Sequence, residues 1–242
     1  MEIKPILFNT EMVRAILDGR KTCTRRIVKD GIPDDAMWGY TAFTPKGYIS
    51  CRGVYADGYG EGFYKLPYQP GDILYVRETW CGLPVNEAGH MRGHTIYYYK
   101  ADGDLRPEGW RGAWRPSIHM PKEAARIWLK VTDVRVERLQ EMTLKDFKAE
   151  GIYDEYKTYS ETYTDHLRQM AYPKVFARLW NSTIKKSDID RYGWDANPCA
   201  WVIEFERCEM GDRPNIEDMI KALKCVANCT KEANIKDAEV RY

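Results

Sequence analysis

Four cationic side chains and two threonines lie within eight residues near the start of the chain, in the segment Gly19–Arg26 (GRKTCTRR). The cations are Arg20, Lys21, Arg25 and Arg26, and such a density of positive charge is typical of a local anion-binding site. A threonine hydroxyl becomes a nucleophile when a neighbouring base removes its proton, and a lysine is such a base only when it is neutral. The segment therefore allows two interpretations, a phosphate clamp or the nucleophile and base of a hydrolase.

The two candidate catalytic side chains, Lys21 and Thr24, are three residues apart. In a straight strand they would point to opposite faces, so they converge only if the chain turns here. Apolar residues at helical spacing after Thr10 predict a helix that Thr10 caps and that stops at Gly19. We expect the turn after this helix to bring the two side chains together.

The composition indicates an ordinary globular protein of one domain, since 242 residues are enough to bury a core. The formal net charge of +1 argues against a protein that coats nucleic acid through many phosphate contacts. Seven cysteines, an odd number at irregular spacing, predict reduced thiols rather than a disulfide framework. No apolar stretch is typical of a signal peptide or a membrane span, so we expect a cytoplasmic protein without membrane contact.

Three strands stand out from the hydrophobic pattern. The turn Pro70–Asp72 precedes a strand through Leu74 and Val76, residues 127–139 form a strand with a bulge near Asp133, and residues 199–208 form the last one. Residues 31–69 are rich in Gly, Pro and Tyr and predict loops or short hairpins. Strands separated by loops and short helices favour an α+β fold with a closed or nearly closed small barrel flanked by helices.

The sequence predicts three further helical segments after residue 139, two of them before the last strand. Thr143 and Asp146 have the spacing of a capping box, and Gly151 is placed to end that short helix. A helical pattern between about residues 160 and 180 is interrupted by Pro173, where we expect a break. Residues 211–242 predict a C-terminal amphipathic helix followed by a polar tail.

Several of these segments, in their order and spacing, resemble the ASCH superfamily of PUA-like barrels. They are GRKTCTRR, PGDILYV, VTDVRVERLQEMTLKDFKAEG and WVIEF. The resemblance implies one ASCH domain over residues 1–210, with long insertions near 29–68, 78–126 and 153–196. The chain is also similar to the longer ASCH proteins of bacteriophage and prophage genomes, which implies nucleic-acid binding. If the chain is phage-encoded, this binding would take place in the host cytoplasm.

Within this family, the enzymes that hydrolyse N4-acetylcytidine carry the pattern Gly-Arg-Lys-Thr-x-Thr-x-Arg, which falls on residues 19–26. The resemblance implies Thr24 as nucleophile, Lys21 as its general base and Glu150 as the acid that protonates the leaving amine or orients the lysine. Arg20, Arg25 and Arg26 would bind substrate. Backbone amides after Gly19 or the Arg26 guanidinium would stabilise the oxyanion, and the sequence does not choose between them.

Two other groups of polar residues have some features of ligand sites. Arg115 and His119 lie in a Pro-bounded loop before a predicted strand, where they would contact phosphate at the rim or simply be exposed. His90 and His94 imitate the spacing of a helical zinc pair, but Gly89 and Gly93 disfavour a helix, so we expect no metal. No motif for another cofactor is present.

The sequence thus favours a protein that binds a nucleoside or RNA in a barrel cleft and hydrolyses an N4-acyl amide of cytidine. A binding module without catalysis and a ribonuclease remain alternatives. Both a monomer and a homodimer are compatible with the sequence.

Overall fold

The computed structural model of the chain describes residues 1–29, 31–87, 90–106, 112–152 and 161–209. The strands are β1 (Ile3–Leu7), β2 (Cys23–Ile27), β3 (Met37–Gly39), β4 (Tyr48–Tyr55), β5 (Gly58–Lys65), β6 (Ile73–Arg77), β7 (Trp80–Glu87), β8 (His90–Tyr99), β9 (Trp128–Arg138) and β10 (Cys199–Cys208). The helices are α1 (Thr10–Leu17), α2 (Leu144–Ala149), α3 (Glu161–Ser182) and α4 (Ile189–Tyr192). The predicted C-terminal helix and tail, residues 211–242, lie outside the described residues.

A five-stranded sheet in the order β1-β6-β9-β10-β2 forms the centre of the molecule. β1 runs parallel to β6, and the other neighbours are antiparallel. The α+β class is confirmed, whereas the pairing of the described strands leaves β1 and β2 as open edges instead of closing a barrel. The two edges still approach each other, because Arg26 Nη2 on β2 donates to the Leu7 carbonyl at the end of β1 over 3.0 Å.

β10 lies between two apolar clusters, which explains why its residues 199–203 are all buried. Ile203 and Phe205 belong to the main core between the sheet and α1, whereas Ala200 belongs to a second cluster with α2 and α3. The predicted bulge is confirmed: Glu204 lies opposite Asp133 and Phe205 opposite Val131, which leaves the residue between them on β9 unmatched.

A second, three-stranded sheet in the order β3-β4-β5 lies within residues 29–68, where the resemblance implies an insertion. β4 and β5 make a hairpin in which Tyr55 pairs with Gly58, so the expectation of short hairpins is confirmed. The Trp38 ring lies 5.1 Å from Tyr64 and 6.3 Å from Trp201, measured between centroids, and these contacts fasten the second sheet to the main core.

β7 and β8 fall within residues 78–126, where the resemblance implies another insertion. They pair as an antiparallel hairpin. Trp80 and Met120 are buried in a third apolar cluster with Trp128, so the segment after the hairpin packs against the start of β9.

Two details of the helices differ from the predictions. Asn9, not Thr10, caps α1, because its side chain accepts from the Met12 amide over 2.9 Å. α3 continues through Pro173, so the predicted break is wrong. Proline removes one helical hydrogen bond, but burial of Tyr172 and Phe176 against Phe147 offsets this cost.

Candidate functional site

The turn between α1 and β2 places Lys21 against the end of α2. Gly19 has a φ of +73°, and the Lys21 amide donates back to the Ala15 carbonyl over 2.9 Å. Lys21 then forms an isolated antiparallel bridge with Glu150, which follows α2. The capping box of Thr143 and the left-handed Gly151, with φ of +85°, define that helix as predicted.

Lys21 and Glu150 form a buried ion pair. Lys21 Nζ lies 2.6 Å from Glu150 Oε2 and 3.0 Å from the Glu150 carbonyl oxygen. The exposed fractions of the two side chains are 0% and 3%. Burying two charges costs desolvation free energy that their mutual attraction often does not offset. A buried ion pair beside a cleft is therefore a candidate for a functional role.

The Thr24 hydroxyl is buried next to a second cation. Arg26 Nη1 donates to Thr24 Oγ1 over 3.0 Å, and burial lowers the pKa of the Arg26 guanidinium. The Lys21 ammonium and the Arg26 guanidinium lie 5.7 and 5.4 Å from the centroid of the same Phe8 ring. In the described structure Lys21 is hydrogen-bonded to Glu150 and not to Thr24, so a proton passes between Lys21 and Thr24 only after a side chain rotates.

Arg25 is held by three carboxylates behind the ion pair. Its guanidinium nitrogens lie 3.0 Å from Glu137, 3.4 Å from Asp146 and 3.4 Å from Glu150. Burial alone would lower the pKa of Arg25, but these carboxylates outweigh it and raise the pKa. A guanidinium in this environment keeps its charge and orients Glu150 rather than an incoming phosphate.

Arg20 is the fourth cation of the segment and lies at its surface. Its Nη2 atom forms an ion pair with Asp18 at 2.8 Å, and its Nη1 atom donates to the Gly151 carbonyl over 2.7 Å. Arg20 therefore ties the turn after α1 to the end of α2, and it does not line the cleft described next.

A cleft of about 430 Å³ opens over Thr24 and Glu150. Its polar side is formed by these two residues with Arg25, Arg26 and Asn9. Its apolar side comes largely from the C-terminal half of α3 and from β1. The lining there comprises Ile6, Leu7, Met12, Phe176, Leu179, Trp180 and Ile184. One polar side with an apolar wall is the usual composition of a pocket for a small organic ligand.

The sequence did not assign α3 to the wall of the cleft, because residues 153–196 were expected to form an insertion of unexplained role. The apolar spacing of Phe176, Leu179 and Trp180 was visible in the sequence, but nothing local indicated that this face would meet β2. Phe8 was missed for the same reason. Phe8 lies between β1 and α1, and its role is apparent only from the tertiary contacts that Lys21 and Arg26 make with its ring.

The predicted rim residues lie elsewhere. Arg115 is exposed, pairs through its backbone with Trp80 and places its guanidinium 5.2 Å from that ring. His119 is exposed on a short 3-10 turn, and neither residue lines the cleft. Among the described residues, no group of His, Cys, Asp and Glu side chains is arranged to hold a metal ion. The side chains of His90 and His94 are not among those described.

The site thus combines a carboxylate and a hydroxyl that line a cleft of ligand size, the guanidinium groups of Arg25 and Arg26 beside them, and a buried amine behind the carboxylate. None of the described helices has the length and apolar character that a bilayer crossing requires. No family model, curated protein or solved structure matches the chain.

Proposed function

We propose that the chain is a PUA-like protein of the ASCH superfamily that binds a pyrimidine nucleoside, free or within RNA, and hydrolyses an N4-acyl amide on its base. The observation that carries this proposal is the buried contact of 2.6 Å between Lys21 Nζ and Glu150, beside a Thr24 hydroxyl that accepts from Arg26. The acid and the alcohol line the cleft and the amine lies behind the acid, and these are the groups that such a reaction needs.

The first half of the reaction forms an ester on Thr24. An ammonium cannot accept a proton, so the proton of Lys21 first passes to Glu150 along their hydrogen bond. The Lys21 side chain then rotates towards Thr24, and its neutral amine takes the proton of the hydroxyl as the Thr24 oxygen attacks the acyl carbonyl carbon. Glu150, now a carboxylic acid, protonates the departing N4 nitrogen, and the original ion pair returns.

The second half releases the acyl group as a carboxylic acid. The proton of Lys21 again moves to Glu150, and the amine takes a proton from a water molecule that attacks the ester. Glu150 returns its proton to the Thr24 oxygen. The Arg26 guanidinium already donates to this oxygen and so favours the alkoxide that leaves the tetrahedral intermediate.

The dimensions and lining of the cleft support a nucleoside as the ligand. A volume of about 430 Å³ lies within the usual range for small-molecule pockets, and the α3 wall offers Leu179 and Trp180 to a planar base. Tyr68 lines the same cleft, and its hydroxyl donates to the Pro5 carbonyl over 3.0 Å, which holds the ring in place. Asn9 supplies an amide at the edge of the polar side.

The pairing of the cations makes a pure phosphate clamp the weaker alternative. Lys21 is neutralised by the buried Glu150 and Arg25 by the half-buried Glu137, and Arg20 is paired with Asp18. Arg26 remains without a carboxylate within 4 Å among the described residues. A ribonuclease would need a base and an acid around a phosphate. Arg25, beside Thr24, is already paired with carboxylates, so it does not favour a phosphate there.

The direct test is hydrolysis of N4-acetylcytidine to cytidine, followed by ultraviolet absorbance. We expect turnover with the unmodified chain and a loss of at least about 1,000-fold in Thr24→Ala, because the nucleophile is gone. Thr22→Ala is the matched control, since Thr22 belongs to the same segment but is exposed, and it should keep its activity.

Lys21→Arg separates catalysis from folding. Arginine keeps a positive charge for Glu150 but does not act as a base, so we expect a folded protein without turnover. Lys21→Ala is less informative because it leaves Glu150 buried without its ammonium, at a cost of about 3 kcal/mol. Activity retained in both Thr24→Ala and Lys21→Arg would overturn the proposed chemistry. RNA binding without any turnover would instead support the binding module. RNA cleavage that survives both substitutions would support the ribonuclease.

A further inference from the structure

The outer edge of β5 carries backbone groups that no described residue pairs with. β5 is the last strand in the order β3-β4-β5. The Leu66 amide donates to the Gly47 carbonyl over 2.9 Å, and the register that follows directs the even-numbered residues of β5 to β4. The amides and carbonyls of the odd-numbered residues 59–65 therefore point outward, away from the sheet.

The same odd-numbered positions carry an exposed row of side chains. They are Tyr59, Glu61, Phe63 and Lys65, and they alternate with less exposed residues along the strand. Tyr59 is 66% exposed and Phe63 is 41% exposed. An eight-residue edge with exposed aromatic rings is a template for pairing with another strand.

We propose that this edge binds β5 of a second copy of the chain, antiparallel and with the two-fold axis at Phe63. In this register Glu61 of each copy lies opposite Lys65 of the other, and the two Phe63 rings face each other. The outward amides and carbonyls then meet as hydrogen-bonded pairs. Opposite charges and aromatic rings in directly facing positions stabilise an antiparallel pair.

The charges of Glu61 and Lys65 favour this register over the registers with a neighbouring axis. An axis at Glu61 or at Lys65 would set identical charges against each other, and an axis at Gly62 would place Glu61 opposite Phe63. On the inner face, the Phe63 register puts Tyr64 of each copy opposite Gly62 of the other. A ring that covers a glycine across the pair is a favourable arrangement for strand edges.

Cysteine cross-linking tests the register with a matched control. In the 242-residue chain, residue 63 of one copy would lie about 5.5 Å from its equivalent, measured between Cα atoms, which a disulfide can span. Residue 59 would lie about 26 Å from its own equivalent, eight residues along the pair. We expect Phe63→Cys to give a covalent dimer under mild oxidation, and Tyr59→Cys and the unmodified chain to give none.

Charge exchange tests the same pairing without a covalent bond. Lys65→Glu creates two like-charge contacts, so we expect the dissociation constant from sedimentation equilibrium to rise about tenfold. The double variant Glu61→Lys with Lys65→Glu restores both opposite pairs and should recover the dimer. Circular dichroism checks that each variant is folded. The proposal fails if the unmodified chain is monomeric at about 100 μM, if Tyr59→Cys cross-links as readily as Phe63→Cys, or if the double variant stays as weak as Lys65→Glu.

Discussion

Three of the four cations in the segment Gly19–Arg26 are held by carboxylates of the same chain. Lys21 and Arg25 share Glu150, while Arg20 pairs with Asp18. A guanidinium or ammonium that is already paired has little attraction left for a phosphate, so the four charges do not act as one anion site. The local density of charge instead builds a neutralised support of ion pairs around Thr24.

Cys23 lies within this support and is a potential rival nucleophile. Burial raises the pKa of its thiol to about 12, and the Glu150 carboxylate adds to this effect. The thiol is therefore protonated at neutral pH and unreactive. We expect iodoacetamide at pH 7.5 to modify the partly exposed Cys208 and to leave Cys23 unmodified until the protein is unfolded, as measured by peptide mass mapping. Equal rates at the two sites would contradict this assignment.

The end of α2 must approach the turn after α1 closely for Lys21 to reach Glu150. A Cβ atom at Gly151 would lie 2.8 Å from Ala15 Cβ and 2.9 Å from Lys21 Cβ, and Gly151 also has a left-handed φ of +85°. Only glycine combines this conformation with so close a contact. The ion pair of Lys21 with Glu150 thus depends on one helix ending in a glycine.

We expect Gly151→Ala to lower the free energy of unfolding by about 3 kcal/mol, from backbone strain and overpacking together. Gly19→Ala is the matched control. It has the same left-handed conformation, with φ of +73°, but nothing lies within 4 Å of its added Cβ, so a loss of about 1 kcal/mol is expected. Urea denaturation measures both values. Equal losses would show that the close approach of the two elements is unimportant.

The turn before β6 is joined to β1 by one buried carboxylate. Asp72 accepts from Lys4 Nζ over 2.8 Å and from the backbone amides of Glu2 and Gln69. Burial alone would raise the pKa of Asp72, but these donors outweigh it and lower the pKa below its ordinary value of 3.8. The parallel pairing of β1 with β6 therefore begins at a charge-assisted contact.

A carboxyl with a lowered pKa stabilises the fold above its unfolded-state pKa, and this contribution is lost as the pH falls through the lower folded-state value. We expect Asp72→Asn to reduce the free energy of unfolding by about 2 kcal/mol at pH 7. The difference from the unmodified chain should shrink below pH 3.8. Denaturation curves over this pH range measure it, and a difference that stays constant down to pH 3 would contradict the role given to Asp72.

The whole molecule is nearly neutral, with a net charge of +1, and the cations around its cleft are largely paired. RNA binding, if it occurs at this cleft, should release few counterions. We expect the logarithm of the association constant for a labelled single-stranded RNA to fall with the logarithm of salt concentration with a slope of about −1.5, equivalent to two phosphate contacts. Fluorescence anisotropy measures this slope, and a value steeper than about −4 would indicate a broad phosphate-binding surface.

Local patterns in the sequence were sufficient for much of the fold. The boundaries of β10, the bulge opposite Glu204, the capping box at Thr143 and the glycine ends of α1 and α2 were all predicted from neighbouring residues. Each depends on backbone conformation or on a period of a few residues, so the information lies within the element. The resemblance to a known family also selected Glu150, which no local pattern distinguishes from any exposed glutamate.

Contacts between distant segments were decided only by the tertiary structure. Lys21 and Glu150 are 129 positions apart, and their contact exists because α2 ends against the turn after α1. The same holds for the α3 wall, since helical periodicity shows that Phe176 and Trp180 share a face but not which strand that face covers. Sequence periods describe which side of an element is apolar, whereas charge pairing and cleft shape depend on how separate elements pack together. The amino acids of the segment Gly19–Arg26 thus indicated chemistry, and packing determined which of its charges remain available for it.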